Sequence, residues 1–354
     1  MRILALFLFI VVSLESYASS VECKDFFSSK SLQYQISSLK RLKTTNFRSW
    51  LEYDLNSEIV IFTDIVKSPT CFVLVNKAQI VRTGTLEKQI VIPNTIYDFL
   101  YLKSSNLPNE FRSEMLKIDK KDAIIVSLHD WEFIPNYIRS LVGENALVFN
   151  LLAHEAFHLF YQRRARVEPN GKINWPDWLE HPEHEKVEKN CYKHPAISNA
   201  YRKELNALVR SAQLLSMLGN KDAALEAALK FISSREERYK LLVQNNITVP
   251  LFSDEISISC MLAEQSLEID EGITNYVGSI VSLNLNLISN FQFIEFSRLF
   301  ELNPYFYGAG QLQLFILKSF LSQIDFDKVK TNLSDSKTPS VNVFTLFKSR
   351  IEAL

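Results

Sequence analysis

Near residue 144 the spacing of apolar residues changes, and this change bounds the folds open to the chain. Upstream lie short β-branched and aromatic runs: Glu58 to Val66, Cys71 to Val75, Gln79 to Thr83, Gln89 to Ile92 and Ala123 to Leu128. Turn signals at Ser68-Pro69, Asn76-Lys77 and Pro93-Asn94 separate them, as expected of strands. Leu32 to Leu42 reads as a short helix, and Tyr97 to Lys117 is ambiguous. Downstream, apolar residues recur every three or four positions. That spacing predicts helices over Asn145 to Gln162, Ala196 to Leu218, Lys221 to Gln244, Asp254 to Asn284 (with a break) and Gly310 to Ile324. Val167 to His194, with Pro169-Asn170-Gly171, Trp175-Pro176 and His181-Pro182, reads as a long loop. Lys330 to Pro339 reads as a polar linker before a last short helix. The expected fold class is α+β, a sheet-bearing N-terminal region followed by a mainly helical one.

Composition removes several functions. Basic and acidic residues number 39 and 40, so no basic face for nucleic acid is implied. Eight glycines leave little material for phosphate-cradling loops. The N-terminus has the form of a signal peptide over residues 1–18: Arg2, then apolar Ile3 to Val12, then Ser16-Tyr17-Ala18 before the cut. No later segment is long and apolar enough to span a bilayer, since Gln313 and Lys318 interrupt Leu312 to Leu321. Export to a periplasm or beyond the cell follows as the expectation. Four cysteines remain after the signal, and oxidising conditions favour two disulfides. Three pairings are open. Cys23–Cys71 with Cys191–Cys260 is preferred because each pair stays within one region.

The chemistry concentrates in His154-Glu155-Ala156-Phe157-His158. On a helix, residues four apart share a face, so both imidazoles reach one metal. Glu155, beside the first ligand, stands where a general base would meet a metal-activated water. With six His and 40 acids in 354 residues, the pattern arises by chance about once in a hundred such chains, so it carries weight. A catalytic zinc needs a third protein ligand and an open position. His181, His184, His194 and Glu204 are available. Glu271, in Glu268-Ile269-Asp270-Glu271-Gly272-Ile273-Thr274-Asn275-Tyr276, is the better choice, with Glu268 one turn earlier as the alternative.

HExxH followed by Glu-Gly-x-x-x-Tyr resembles the gluzincin clan of zinc metallopeptidases. The resemblance covers the motifs and their order. It implies a zincin-like catalytic region with one zinc ion held by His154, His158 and Glu271, and Glu155 as base. Thr274 departs from the Ala usual in that clan, and the interval from His158 to Glu271 is longer than in its aminopeptidase branch. Tyr305-Phe306-Tyr307-Gly308-Ala309-Gly310-Gln311-Leu312 is similar to the Tyr-x-x-Gly-Ala-x-x-Leu stretch of aminopeptidase-like members. That similarity implies oxyanion stabilisation by Tyr305, with Tyr307 as substitute. The regions then read as 1–18 signal peptide, 19–140 N-terminal α+β region, 141–330 helical zinc-binding catalytic region, and 331–354 linker and C-terminal helix.

The expected activity is zinc-dependent hydrolysis of a peptide or protein substrate. Ala123 to Leu128 is expected to pair with an extended substrate. A zinc hydrolase of a non-peptide amide or ester, and a non-catalytic zinc-binding exported protein, are the alternatives. Ser233 to Arg238 reads as a solvated helix face, with Arg235 or Arg238 open to a substrate carboxylate as the other reading. Trp175 and Trp178 are read as packing or cleft residues and His129 as a rim residue; no dibasic processing site stands out before the first strands, Lys40-Arg41 being the candidate.

Overall fold

The computed structural model describes residues 23–45, 49–51, 53–63, 70–86, 91–92, 95–96, 114–118, 121–128, 136–162, 184–195, 197–251, 256–299, 305–336 and 338–354. The signal segment, His129, Trp175, Trp178 and His181 lie outside these. The chain divides into two compact units, Met1–Arg48 with Asp54–Phe160, and Ser49–Tyr53 with Tyr161–Leu354. The division falls inside the histidine-bearing helix, later than the change of pattern near residue 144.

In the first unit, α1 (Lys24–Phe27) leads into α2 (Lys30–Thr45). Leu32, Ile36, Leu39 and Leu42 form the buried stripe of α2, the three-and-four spacing of an amphipathic helix. Seven strands follow: β1 (Ile59–Thr63), β2 (Thr70–Asn76), β3 (Gln79–Leu86), β4 (Val91–Ile92), β5 (Thr95–Ile96), β6 (Glu114–Ile118) and β7 (Lys121–Ser127). Five make one mixed sheet in the order β3-β2-β1-β7-β6, and β4 pairs with β5. β1 is buried along its whole length and runs parallel to β7, with Val60 opposite Ile124 and Phe62 opposite Val126. Its unbroken apolar run suits a strand covered on both faces. Lys77 and Ala78 take positive φ of 49° and 58°, the two-residue turn that closes β2 onto β3.

The sheet narrows one expectation. β7 lies between β1 and β6, and Ala123, Ile124 and Ile125 pair on both sides, so that part of Ala123 to Leu128 has no free edge for a substrate. β6 occupies part of the ambiguous stretch upstream, and it is an outer strand of that sheet. The first unit closes with α3 (Asn136–Val142) and α4 (Glu144–Ala156), the latter running on as a π-helical stretch, Phe157–Gln162. Ala146 to Asn150, Leu152 to His154 and Ala156 are buried, while Glu144 is exposed and Leu151 and Glu155 are half-buried, so α4 is covered over most of its surface except one stripe. From α2, Gln35 Nε2 donates to Asn145 O at 2.9 Å.

The second unit is helical apart from a two-stranded pairing of β8 (Thr248–Pro250) with β9 (Ser257–Ser259). It begins with α5 (His184–Val187) and a π-turn, Glu188–Tyr192, so the C-terminal part of the expected long loop is helical. Helix α6 (Ser198–Leu218) ends at Gly219, which takes φ 62°, and α7 (Lys221–Gln244) starts at once, its N-cap Asn220 accepting from Ala223 N at 3.0 Å. After β9 come α8 (Cys260–Leu267), a π-turn over Glu268–Gly272, and α9 (Ile273–Asn284). Then follow α10 (Asn290–Leu299), α11 (Tyr305–Phe320), α12 (Gln323–Ser334) and α13 (Val343–Ile351). Residues 308–317 of α11 are all buried, making it a central helix of the unit. α12 overruns the expected polar linker, because Phe326, Val329 and Leu333 keep helical spacing beneath a polar surface.

The observed architecture is α+β, with the sheet upstream and helices downstream. Both preferred disulfides are present, Cys23–Cys71 in the first unit and Cys191–Cys260 in the second. Closing loops of 48 and 69 residues stabilises each unit by about 4 kcal/mol through the entropy of the unfolded chain. Among the described residues no helix is long and apolar enough to cross a membrane.

Candidate metal centre

His154 sits on the last turn of α4 and is buried; His158 falls on the following π-helical stretch and is half-buried. Their rings meet edge to face with centroids 4.9 Å apart. The expected sharing of one face is therefore observed. Glu155 is half-buried, its Oε1 4.0 Å from His154 Nε2. Glu271 lies on the π-turn between α8 and α9 and is half-buried. One ligand-capable atom each from His154, His158 and Glu271 lies within 4.8 Å of the others. A tetrahedral zinc with bonds near 2.1 Å asks its ligand atoms to stand about 3.4 Å apart. Two imidazoles and one carboxylate are a donor set that zinc takes, and three protein ligands leave a position open.

His158 and Glu271 both sit where winding widens from α-helical to π-helical, a feature frequent at functional sites. The π-turn Glu268–Gly272 is held from several directions. Gln162, the last residue of the His158 stretch, is buried and donates Nε2 to Asp270 O and to Thr274 Oγ1, each at 3.0 Å. Those acceptors flank Glu271 on both sides. On α11, Gln313 Nε2 donates to Glu268 Oε2 at 3.1 Å, and Asn275 bonds Gln311. A Cβ at Gly310 would lie 2.7 Å from Gly272 Cα and 2.9 Å from Glu268 O, so only glycine allows α11 this close to the turn. Gly308 makes the same kind of approach to the Ser297 carbonyl on α10.

Glu268 and Glu204, weighed as zinc ligands, have another task. Arg235 and Arg238 on α7 are fully buried, not on a solvated face and not open to a substrate. Arg235 Nε meets Glu204 Oε1 and its Nη1 meets Glu268 Oε1, both at 2.7 Å. Arg238 reaches Glu204 Oε2 at 2.5 Å and Glu264 Oε1 at 2.6 Å, and Tyr239 OH donates to Glu264 at 3.0 Å. The Arg235 guanidinium lies 4.8 Å from the Phe231 ring centroid and 5.1 Å from that of Phe344. Burial raises the pKa of Glu268 to about 7, against the pull of Arg235 and with the push of Glu264. Burial also raises the Tyr239 and Tyr192 phenols, helped by Glu264. Burial opposes the charge of Arg238, yet Glu204 and Glu264 outweigh it and hold the guanidinium firmly protonated.

His194 is half-buried between the Glu188–Tyr192 turn and α6 and is not in the metal-capable group. His184 opens α5. Tyr305 is the first residue of α11, and its side chain is outside the described part; Tyr307 is half-buried. Lys40 and Arg41 lie within α2. Sequence reasoning missed Gln162, although it stands four residues after His158 on the same helical face. It also missed the buried ion network, because Arg and Glu at helical spacing read as solvent-facing pairs.

Comparison with protein-family models, with curated proteins and with solved structures finds no match for this chain.

Proposed function

We propose that this chain is an exported zinc-dependent hydrolase of the gluzincin type that cleaves peptide bonds in a peptide or protein substrate. The observation that carries the reading is the grouping of His154, His158 and Glu271, residues far apart in sequence, with Glu155 next to the first. Export is supported by two disulfides that use all four cysteines.

His154, His158 and Glu271 would hold the ion. When bound there, zinc supplies Lewis acidity that lowers the pKa of water toward 7 and polarises a carbonyl. Glu155 takes the proton of the attacking water and returns it to the departing amine. Tyr305, at the start of α11, is assigned the hydrogen bond to the developing oxyanion on the strength of the motif resemblance. α4 supplies rigidity: its largely buried surface anchors the helix that presents His154 and Glu155.

The test is a mass-spectrometric digest of a mixed peptide library by zinc-loaded wild type and by Glu155→Gln. Cleavage by wild type, reduced about 10²- to 10⁴-fold in the variant at equal zinc content, supports the assignment. Equal cleavage by both removes Glu155 from its role. Absence of cleavage with one bound zinc moves the reading to a non-peptide amide or ester, or to a non-catalytic metal site.

A further inference from the structure

Gln162 lies one turn beyond His158, and its side chain ends at the backbone and hydroxyl that bracket Glu271. We infer that Gln162 is a positioning residue for Glu271, fixing the shape of the turn that carries it through Asp270 and Thr274. The inference rests on the zinc reading of that site.

The geometry makes the link specific. One amide nitrogen donates to two acceptors, Asp270 O and Thr274 Oγ1, and the Thr274 hydroxyl itself donates to Asp270 O. The three groups close a small ring of hydrogen bonds around the backbone of the π-turn. All three lie in the second unit, as does Glu271. Gln162 and Thr274 are both buried, so water does not replace a lost bond at low cost. Thr274 occupies the place where the resembled motif has Ala. Its hydroxyl is the group that Gln162 needs, so the two departures from a plain apolar packing answer each other.

This arrangement acts on a ligand through its neighbours, and such groups typically control metal affinity by 10- to 100-fold. The experiment measures zinc dissociation constants by chelator competition, and absorption spectra of the cobalt-loaded protein, for full-length wild type, Gln162→Met, Thr274→Val and Thr274→Ser. Ser211→Ala, which removes a buried hydrogen bond between α6 and the start of α7, is the stability control. The expected result is a 10- to 100-fold loss of zinc affinity with an altered cobalt spectrum in Gln162→Met and Thr274→Val. Thr274→Ser, which keeps the hydroxyl, stays within about threefold of wild type. Ser211→Ala lowers the melting temperature but leaves zinc affinity alone. Wild-type affinity and spectrum in Thr274→Val overturn the inference even if Gln162→Met does not fold. Failure of the wild type itself to bind zinc overturns the zinc reading and this inference together.

Discussion

Replacing Gly310 by Ala tests the contact that seats α11 against the ligand-bearing turn. The added Cβ would lie 2.7 Å from Gly272 Cα and 2.9 Å from Glu268 O. Carbon atoms in contact sit at about 3.5 Å, so the helix must retreat by roughly 0.8 Å. Both obstructing atoms belong to backbone and cannot rotate aside, which places the strain near the upper end of the roughly 1–3 kcal/mol of an overpacked core. Alanine returns about 1 kcal/mol through helix propensity. The net expectation is a loss of about 2 kcal/mol, or a fall in melting temperature of roughly 4–8 °C for a unit of this size. Retreat of α11 also releases Glu268 from Gln313 and disturbs the turn beside Glu271, so zinc affinity should fall with stability. Gly308→Ala is the comparison. It crowds the Ser297 carbonyl on α10, and should cost stability without a matching loss of zinc. Thermal unfolding of the apo proteins followed by zinc titration reads both effects. A Gly310→Ala protein that melts at or above the wild-type temperature refutes the close approach, because propensity alone would then be acting.

Two further outcomes follow from the buried ion network. Arg235→Met leaves Glu268 without its ion partner in a fully buried setting, and should cost about 3–5 kcal/mol, read as a lowered urea midpoint; an unchanged midpoint would show that the network contributes no net stability. Glu268 has a folded pKa of about 7, above its ordinary 4.5, so the folded protein holds a proton that the unfolded chain releases between those values. Its stabilisation is full below about pH 4.5 and is lost as pH rises through about 7. In Glu268→Gln that fall should disappear from the urea midpoints measured across the same range, and a variant with the wild-type slope would assign the pH dependence to another group.

Local order was readable wherever one short-range rule governed the segment. β1 shows it with a continuous apolar run, α7 with residues 221–244 in helical period, and α4 with its π-helical continuation by two histidines four apart. Segments governed by distant partners were not readable. β6 carries no pattern that separates it from its surroundings, and its pairing with β7 defines it. α12 hid behind polar composition until the spacing of Phe326, Val329 and Leu333 met a core. Arg235 and Arg238 have the spacing of a solvated face, and only the convergence of Glu204, Glu264 and Glu268 upon them makes burial tolerable.

By itself the sequence determined the α+β order and the helix bearing His154, Glu155 and His158, because helical periodicity and residue spacing are local properties. The different surroundings of Glu268 and Glu271 were tertiary. Three residues apart, they carry the same chemistry, and packing brings different neighbours to each. Arg235 and Gln313 engage Glu268, whereas Glu271 comes to stand with the two histidines.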